Sequence, residues 1–179
     1  MSRKQKNYYK GFDKSFPITD RIFQRIISFY LFECPTPGKS QRAKTFAKLN
    51  WNGISQFSNL KKRLLASATP SLKNNYYPCK KEELNEKFKL AEAISPVDEY
   101  CVYLKNGEKT VMQSLFSAIR NSFAHGSFAV QSFKDVNGKN VKIYFLCNYH
   151  EYLNAEIVLQ EQTLLKWIDI VQSGYDPKR

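Results

Sequence analysis

The chain of 179 residues is long enough for one domain with a real core and short for two. Hydrophobic residues make up 42% and charged residues 25%, which excludes a disordered or fibrous chain. Lys plus Arg is 28 against 16 Asp plus Glu, a formal charge of +12 that makes a polyanionic partner plausible without saying which polyanion.

Residues 1–17 are basic, tyrosine-rich and poor in aliphatics, and read as a loosely held arm ahead of a single domain over 18–179. From Ile18 the pattern changes. Thr19 or Asp20 can cap a helix whose apolar positions Ile22, Phe23, Ile26, Ile27, Tyr30 and Leu31 recur at helical spacing, ending at Cys34 and the Pro35-Thr36-Pro37-Gly38 break. Ser40 to Leu49 and Ile54 to Ala68 read as two more helices, separated by Asn50-Trp51-Asn52-Gly53. Ser71 to Pro78 is polar. Lys81 to Ile94 has helical composition with a modest apolar face, closed by Pro96.

The next helix, Glu108 to His125, is the most strongly patterned. Met112, Leu115, Phe116, Ile119 and Phe123 form one stripe, and Gly126 stands where a left-handed C-terminal cap belongs. The period then switches to two: Phe128 to Lys134 and Val141 to Cys147 flank a segment containing Asn137-Gly138, a hairpin signal, and Val141, Ile143, Phe145 and Cys147 would share one face. A last helix is expected from about Ala155 to Gln172. The fold class that follows is mostly α, five or six helices with a small late β-hairpin insert.

Cys34, Cys79, Cys101 and Cys147 lie far apart with no C-x-x-C pair and no leader ahead of them, so free thiols in a reducing cytoplasm are the expectation. The longest apolar run, Ile26 to Phe32, is interrupted by Ser28 and too short to span a bilayer, and no membrane partner is expected.

Two histidines narrow the search for a physiological-pH acid or base. His125 lies in Arg120-Asn121-Ser122-Phe123-Ala124-His125-Gly126. At about 100° per residue, Asn121 and His125 align nearly opposite the apolar stripe, while Arg120 sits at its edge with a side chain long enough to reach round. A histidine at the negative end of a helix dipole is favoured in its protonated form, which suits a proton donor near phosphate. It is equally a common helix-ending residue, bonding to orphan carbonyls.

The segment Leu115 to Phe128, LFSAIRNSFAHGSF, resembles the signature of the HEPN superfamily, whose ribonuclease members carry Arg, a polar residue that is often Asn, and His four to six residues after the Arg. Arg120, Asn121 and His125 fall on those positions without a gap. The resemblance rests on this one helix and implies a HEPN-like helical bundle, a homodimer built through the motif helices, and RNA as substrate. It also implies cleavage with no metal and no cofactor. Many relatives are toxins or antiviral phage-defence effectors, some silenced by an antitoxin or governed by a sensor protein. The residue chemistry fits such an endonuclease: a histidine to move protons and a guanidinium to hold the charge gathering on the phosphoryl oxygens. Asn121 would orient the histidine ring or hold the partner's arginine. The competing expectations are a non-catalytic module of the same type that binds RNA or protein, and an interaction protein whose motif helix only forms a dimer seam.

Cys147 and His150, in Cys147-Asn148-Tyr149-His150-Glu151, could begin a metal site, but no second pair stands at ligand spacing; His150 as a second catalytic base would rest only on the scarcity of histidine, and a surface-loop histidine is the expected reading. Lys61-Lys62-Arg63, Lys80-Lys81, Lys105 and Lys109 are candidate contacts to a nucleic-acid backbone, or simply solvated helix faces. Tyr8, Tyr9, Tyr76 and Tyr77 sit in polar stretches and are candidates for base stacking. No phosphate-binding glycine loop, nucleophile elbow or H-E-x-x-H motif occurs.

Overall fold

A computed structural model describes residues 20–36, 45–135 and 137–176. The basic arm, and the first part of the helix expected from Ser40, lie outside these residues. Six α-helices occur among the described residues: α1 (Arg21–Ser28), α2 (Ile54–Ser67), α3 (Pro70–Asn74), α4 (Leu84–Ala91), α5 (Val111–Ala124) and α6 (Glu161–Ser173). Five strands accompany them: β1 (Tyr76–Cys79), β2 (Tyr100–Leu104), β3 (Phe128–Lys134), β4 (Asn140–His150) and β5 (Tyr152–Gln160). The strands form one mixed sheet in the order β1-β2-β5-β4-β3, parallel only between β1 and β2.

This overturns the helical-bundle expectation: the fold is α/β, and the hairpin β3–β4 is one edge of a five-stranded sheet rather than an insert. The physical reason lies in β5 and β2. Ile157-Val158-Leu159 are buried between two neighbouring strands and under helices on both faces, so the run is continuously apolar and carries no strand-like alternation. Such a run joined directly to α6 is indistinguishable by period from a longer helix, which is why the sequence reads a helix from about Ala155 where the structure has β5 as far as Gln160 and starts α6 at Glu161. Tyr100 to Tyr103 of β2 are all buried for the same reason. Pro78 is tolerated in β1 because that strand is an edge and needs fewer backbone donors.

The sheet separates two apolar layers. Cys101, Tyr103, Tyr144, Leu146, Ala155, Ile157 and Leu159 face the main core, where Ile26, Tyr30, Leu64, Phe116, Ile119 and Trp167 pack. Tyr100, Val102, Ile143, Phe145 and Val158 face the other way, under Leu84, Phe88 and Ala91 of α4. Val141, Ile143 and Phe145 do share one face, as their alternation predicts. α1 runs on into a π-helical turn, Phe29–Glu33, in which the Cys34 N–H donates to the Phe29 carbonyl over 2.6 Å. That turn carries the chain past α5. Among the described residues no helix is long and apolar enough to cross a membrane.

Candidate active site

The motif helix is held at both ends. Thr110 and Gln113 form a reciprocal capping box at the start of α5, with Oγ1 accepting from the Gln113 N–H at 3.2 Å and Oε1 accepting from the Thr110 N–H at 2.9 Å. At the other end Gly126 is left-handed, φ +64°, with its N–H donating to the Phe123 carbonyl and the Ser127 N–H donating to the Ser122 carbonyl over 2.8 Å. This is a Schellman termination, as Gly126 foretold. The Ser127 carbonyl then accepts from the Cys147 N–H at 2.9 Å, which ties the end of α5 to β4. Met112, Leu115, Phe116, Ile119 and Phe123 are all buried, so the stripe faces the core and fixes the helix rotation.

With that rotation set, the three motif residues take different positions. Arg120 is half-buried at the edge of the stripe; its Nη1 donates to Asn121 Oδ1 over 3.0 Å. Its Nε is buried with no hydrogen-bond partner among the described residues. Its charge acts on the thiol of Cys34, at the exit of the π-helical turn. Burial pushes that thiol far above its ordinary range, against the pull of the Arg120 charge, and leaves it neutral. Among the described residues no carboxylate pairs with Arg120. His125 is the C-cap residue, exposed, its N–H donating to the Asn121 carbonyl over 3.0 Å. Arg120 and Asn121 are thus joined through their side chains, whereas His125 is joined to Asn121 through the backbone.

Asn121 opens onto a cleft of about 160 Å³. Ser114, Ser117, Ala118 and Asn121 supply its helix wall, one line of α5 at spacings of three and four residues. The far wall is the β4–β5 turn, with Asn148, His150 and Asn154, and the rim is Leu104, Asn106 and Lys109 from the β2–α5 connection. Lys109 Nζ donates to Ser117 Oγ over 3.2 Å, and the Asn106 N–H donates to Ser114 Oγ over 3.2 Å. The lining holds one lysine, one histidine, amides and hydroxyls, and no carboxylate.

His150 is therefore the last residue of β4 and part of a cleft wall, not an isolated loop histidine. His125 does not line the cleft. Asn148 and Asn154 were not singled out by sequence reasoning; the only signal was a polar run, Cys147-Asn148-Tyr149-His150, after an apolar strand. Tyr76 and Tyr77 are half-buried in β1, their hydroxyls bonded to the Tyr103 hydroxyl and, over 2.9 Å, the Asn74 carbonyl. They are packing residues rather than open stacking platforms. Tyr8 and Tyr9 fall outside the described residues. All four cysteines are buried free thiols. Among the described residues no three His, Cys, Asp or Glu side chains are grouped to hold a metal ion. No family model, no curated protein and no solved structure matches the chain.

Proposed function

We propose that this chain is a metal-independent endoribonuclease in which Arg120 holds the phosphate, Asn121 positions it and His125 transfers protons. The observation that carries the reading is the state of Arg120. A half-buried guanidinium is normally paired with a carboxylate, and this one has an amide oxygen, a neutral thiol and an orphaned Nε. A ligand phosphate is the counter-charge that such a group lacks, and a guanidinium binds phosphate in a bidentate way that lysine does not match. Asn121 is fixed by the same hydrogen bond, and His125 stands one turn further along the same helix. The Arg-Asn-x-x-x-His resemblance to HEPN ribonucleases supports the same activity through its residues alone, since the fold differs from a helical bundle.

In the reaction a base removes the proton from a 2′-hydroxyl, the 2′-oxygen attacks phosphorus, and the P–O5′ bond breaks as an acid protonates the leaving oxygen. The products are a 2′,3′-cyclic phosphate and a 5′-hydroxyl. One chain offers one motif histidine, so a homodimer through α5 would supply the second. A cytoplasmic growth-arresting toxin or phage-defence effector, restrained by an antitoxin or sensor protein, is the setting the reading implies.

The test is incubation of wild type, Arg120→Ala and His125→Ala with total RNA in EDTA. Wild type is expected to leave cyclic phosphate ends, and each variant to lose about 100-fold or more in rate. Cleavage surviving in the double variant would sink the proposal. A second reading, a non-catalytic module that binds RNA or protein, draws on the position of His125 outside the cleft. Salt-dependent RNA binding with no turnover would favour it.

A further inference from the structure

The cleft beside α5 has a feature that neither the motif nor the charge clusters foretell: its amides are locked in one orientation. Asn121 Oδ1 accepts from Arg120, so the Asn121 NH₂ group is turned away from the arginine. Asn148 Nδ2 donates to Asn154 Oδ1 over 2.7 Å, so the Asn154 NH₂ group is left to donate elsewhere. Lys109 keeps two ammonium protons beyond its bond to Ser117, and His150 adds a ring nitrogen. The free groups of the lining are thus mostly donors, with positive charge and no opposing carboxylate.

A backbone irregularity places one of these donors. β4 and β5 pair Asn148 with Ala155 and then Tyr149 with Leu153, so Asn154 is the extra residue of a β-bulge. In a regular strand residues 154 and 155 would point to opposite faces. The bulge brings Asn154 to the face that Ala155 shares with the main core, within hydrogen-bonding distance of Asn148. The turn that follows β4 is tight, with Glu151 in the left-handed region at φ +62°, a conformation uncommon outside glycine and asparagine. Both irregularities lie at the end of the hairpin that supplies this wall of the cleft.

We infer that this cleft is a phosphate-binding subsite in which Lys109, Asn121, Asn154 and His150 donate to the phosphate oxygens. Phosphate oxygens only accept, which matches a wall of donors, and an anion supplies the charge that the lining lacks. The identity of the ligand as an RNA phosphodiester rests on the ribonuclease reading; the subsite itself rests on the donor set. A nucleotide or free phosphate presents the same chemistry.

With only two histidines in the chain, selective labelling of the imidazoles gives one NMR signal set for each. Three probes separate the sources: inorganic phosphate, a nucleoside 3′-monophosphate, and a short RNA with every 2′-hydroxyl methylated so that it cannot be cut. His150 is expected to shift saturably with at least one of them. Asn154→Asp keeps the acceptor for Asn148 but turns the donating amide into a second acceptor with negative charge, and should weaken binding at least about tenfold. Lys109→Met gives an independent loss of the same sign. Saturation with phosphate alone assigns a phosphate-ion site, and saturation only with the nucleotide or RNA assigns a phosphodiester subsite. No saturable shift with any probe, or equal affinity in Asn154→Asp and wild type, overturns the inference. Cleavage in EDTA without a saturable His150 shift would remove the subsite alone; a saturable shift without cleavage would remove the nuclease reading alone.

Discussion

Glu99 is completely buried and carries no lysine or arginine partner among the described residues, yet its carboxylate accepts three hydrogen bonds. One carboxylate oxygen accepts from the Thr69 N–H at 2.8 Å and the Thr69 hydroxyl at 2.7 Å, and the other accepts from the Gln160 N–H at 2.8 Å. Thr69 and Gln160 are the N-cap residues of α3 and α6, so one side chain fastens two helix starts to the leading end of β2. Glu99→Gln keeps the shape but offers one acceptor oxygen in place of two, which turns an amide NH₂ against at least one N–H. The expected loss is about 1–3 kcal/mol, the desolvation cost of an unmatched buried polar group. At about 2–4 °C per kcal/mol for a chain of this size, thermal unfolding should resolve it, and an unchanged melting temperature would show that the three bonds contribute little. Nothing in Pro96-Val97-Asp98-Glu99 marks this residue in the sequence, because its partners come from elements 30 and 61 positions away. Arg120, Asn121 and His125 were legible since their spacing is local, while Asn154 was not, since a bulge depends on how two strands register.

At the scale of elements, legibility followed the number of neighbours each one has. α2 and α5 were readable because one face meets the core and the other meets solvent or the cleft, which writes a helical period into the sequence. The hairpin β3–β4 was readable through its turn and alternation. β2 and β5 are central, covered on both faces, and carry no period to read. α1 shows the complementary case of an end fixed by one polar residue. Asp20 is its N-cap, Oδ1 accepting from the Ile22 N–H at 2.8 Å and the Phe23 N–H at 3.2 Å, while Oδ2 accepts from Lys142 Nζ at 2.8 Å. The bond from Lys142 holds the Asp20 carboxyl below the ordinary carboxylate range, helped by the two backbone donors and opposed by partial burial. A carboxyl with a depressed folded-state pKa stabilises the fold fully above its unfolded pKa and loses that contribution as pH falls through the folded value. Asp20→Ala should therefore cost about 1 kcal/mol near neutral pH, the usual worth of an N-cap. The gap between variant and wild type should close below about pH 4 in urea titrations. A gap that persists or widens in acid would mean that packing of α1, not the cap charge, was lost.

Among the described residues of the whole molecule, basic side chains cluster at both ends of the sheet. β1 and β2 run in parallel, pairing Tyr76 with Cys101 at one end and Cys79 with Leu104 at the other. Lys61 lies over the Tyr76 ring at 5.0 Å, which puts the Lys61-Lys62-Arg63 cluster at the first end, and Arg63 lies over Trp51 at 5.5 Å. Lys81 lies over the ring of Tyr152, beside the β4–β5 turn, at 4.9 Å, and the Lys105 N–H donates to the Cys79 carbonyl over 2.8 Å. Lys80, Lys81, Lys105 and Lys109 therefore gather at the end where His150 and the cleft lie. Ring contacts leave these ammonium groups charged, so they still attract a polyanion. If RNA is the ligand, each phosphate neutralised by a cation contributes about 0.7 to the slope of log affinity against log salt for a single strand. Replacing Lys81 and Lys105 by Met should flatten that slope by one or two such steps, while Lys61→Met with Lys62→Met should leave it nearly as steep. Fluorescence anisotropy of a labelled single-stranded RNA over a salt series reads both directly. Equal flattening by the two pairs would mean that the whole surface, rather than the cleft end, attracts the strand, and the sorting of charge along the sheet would then have no part in binding.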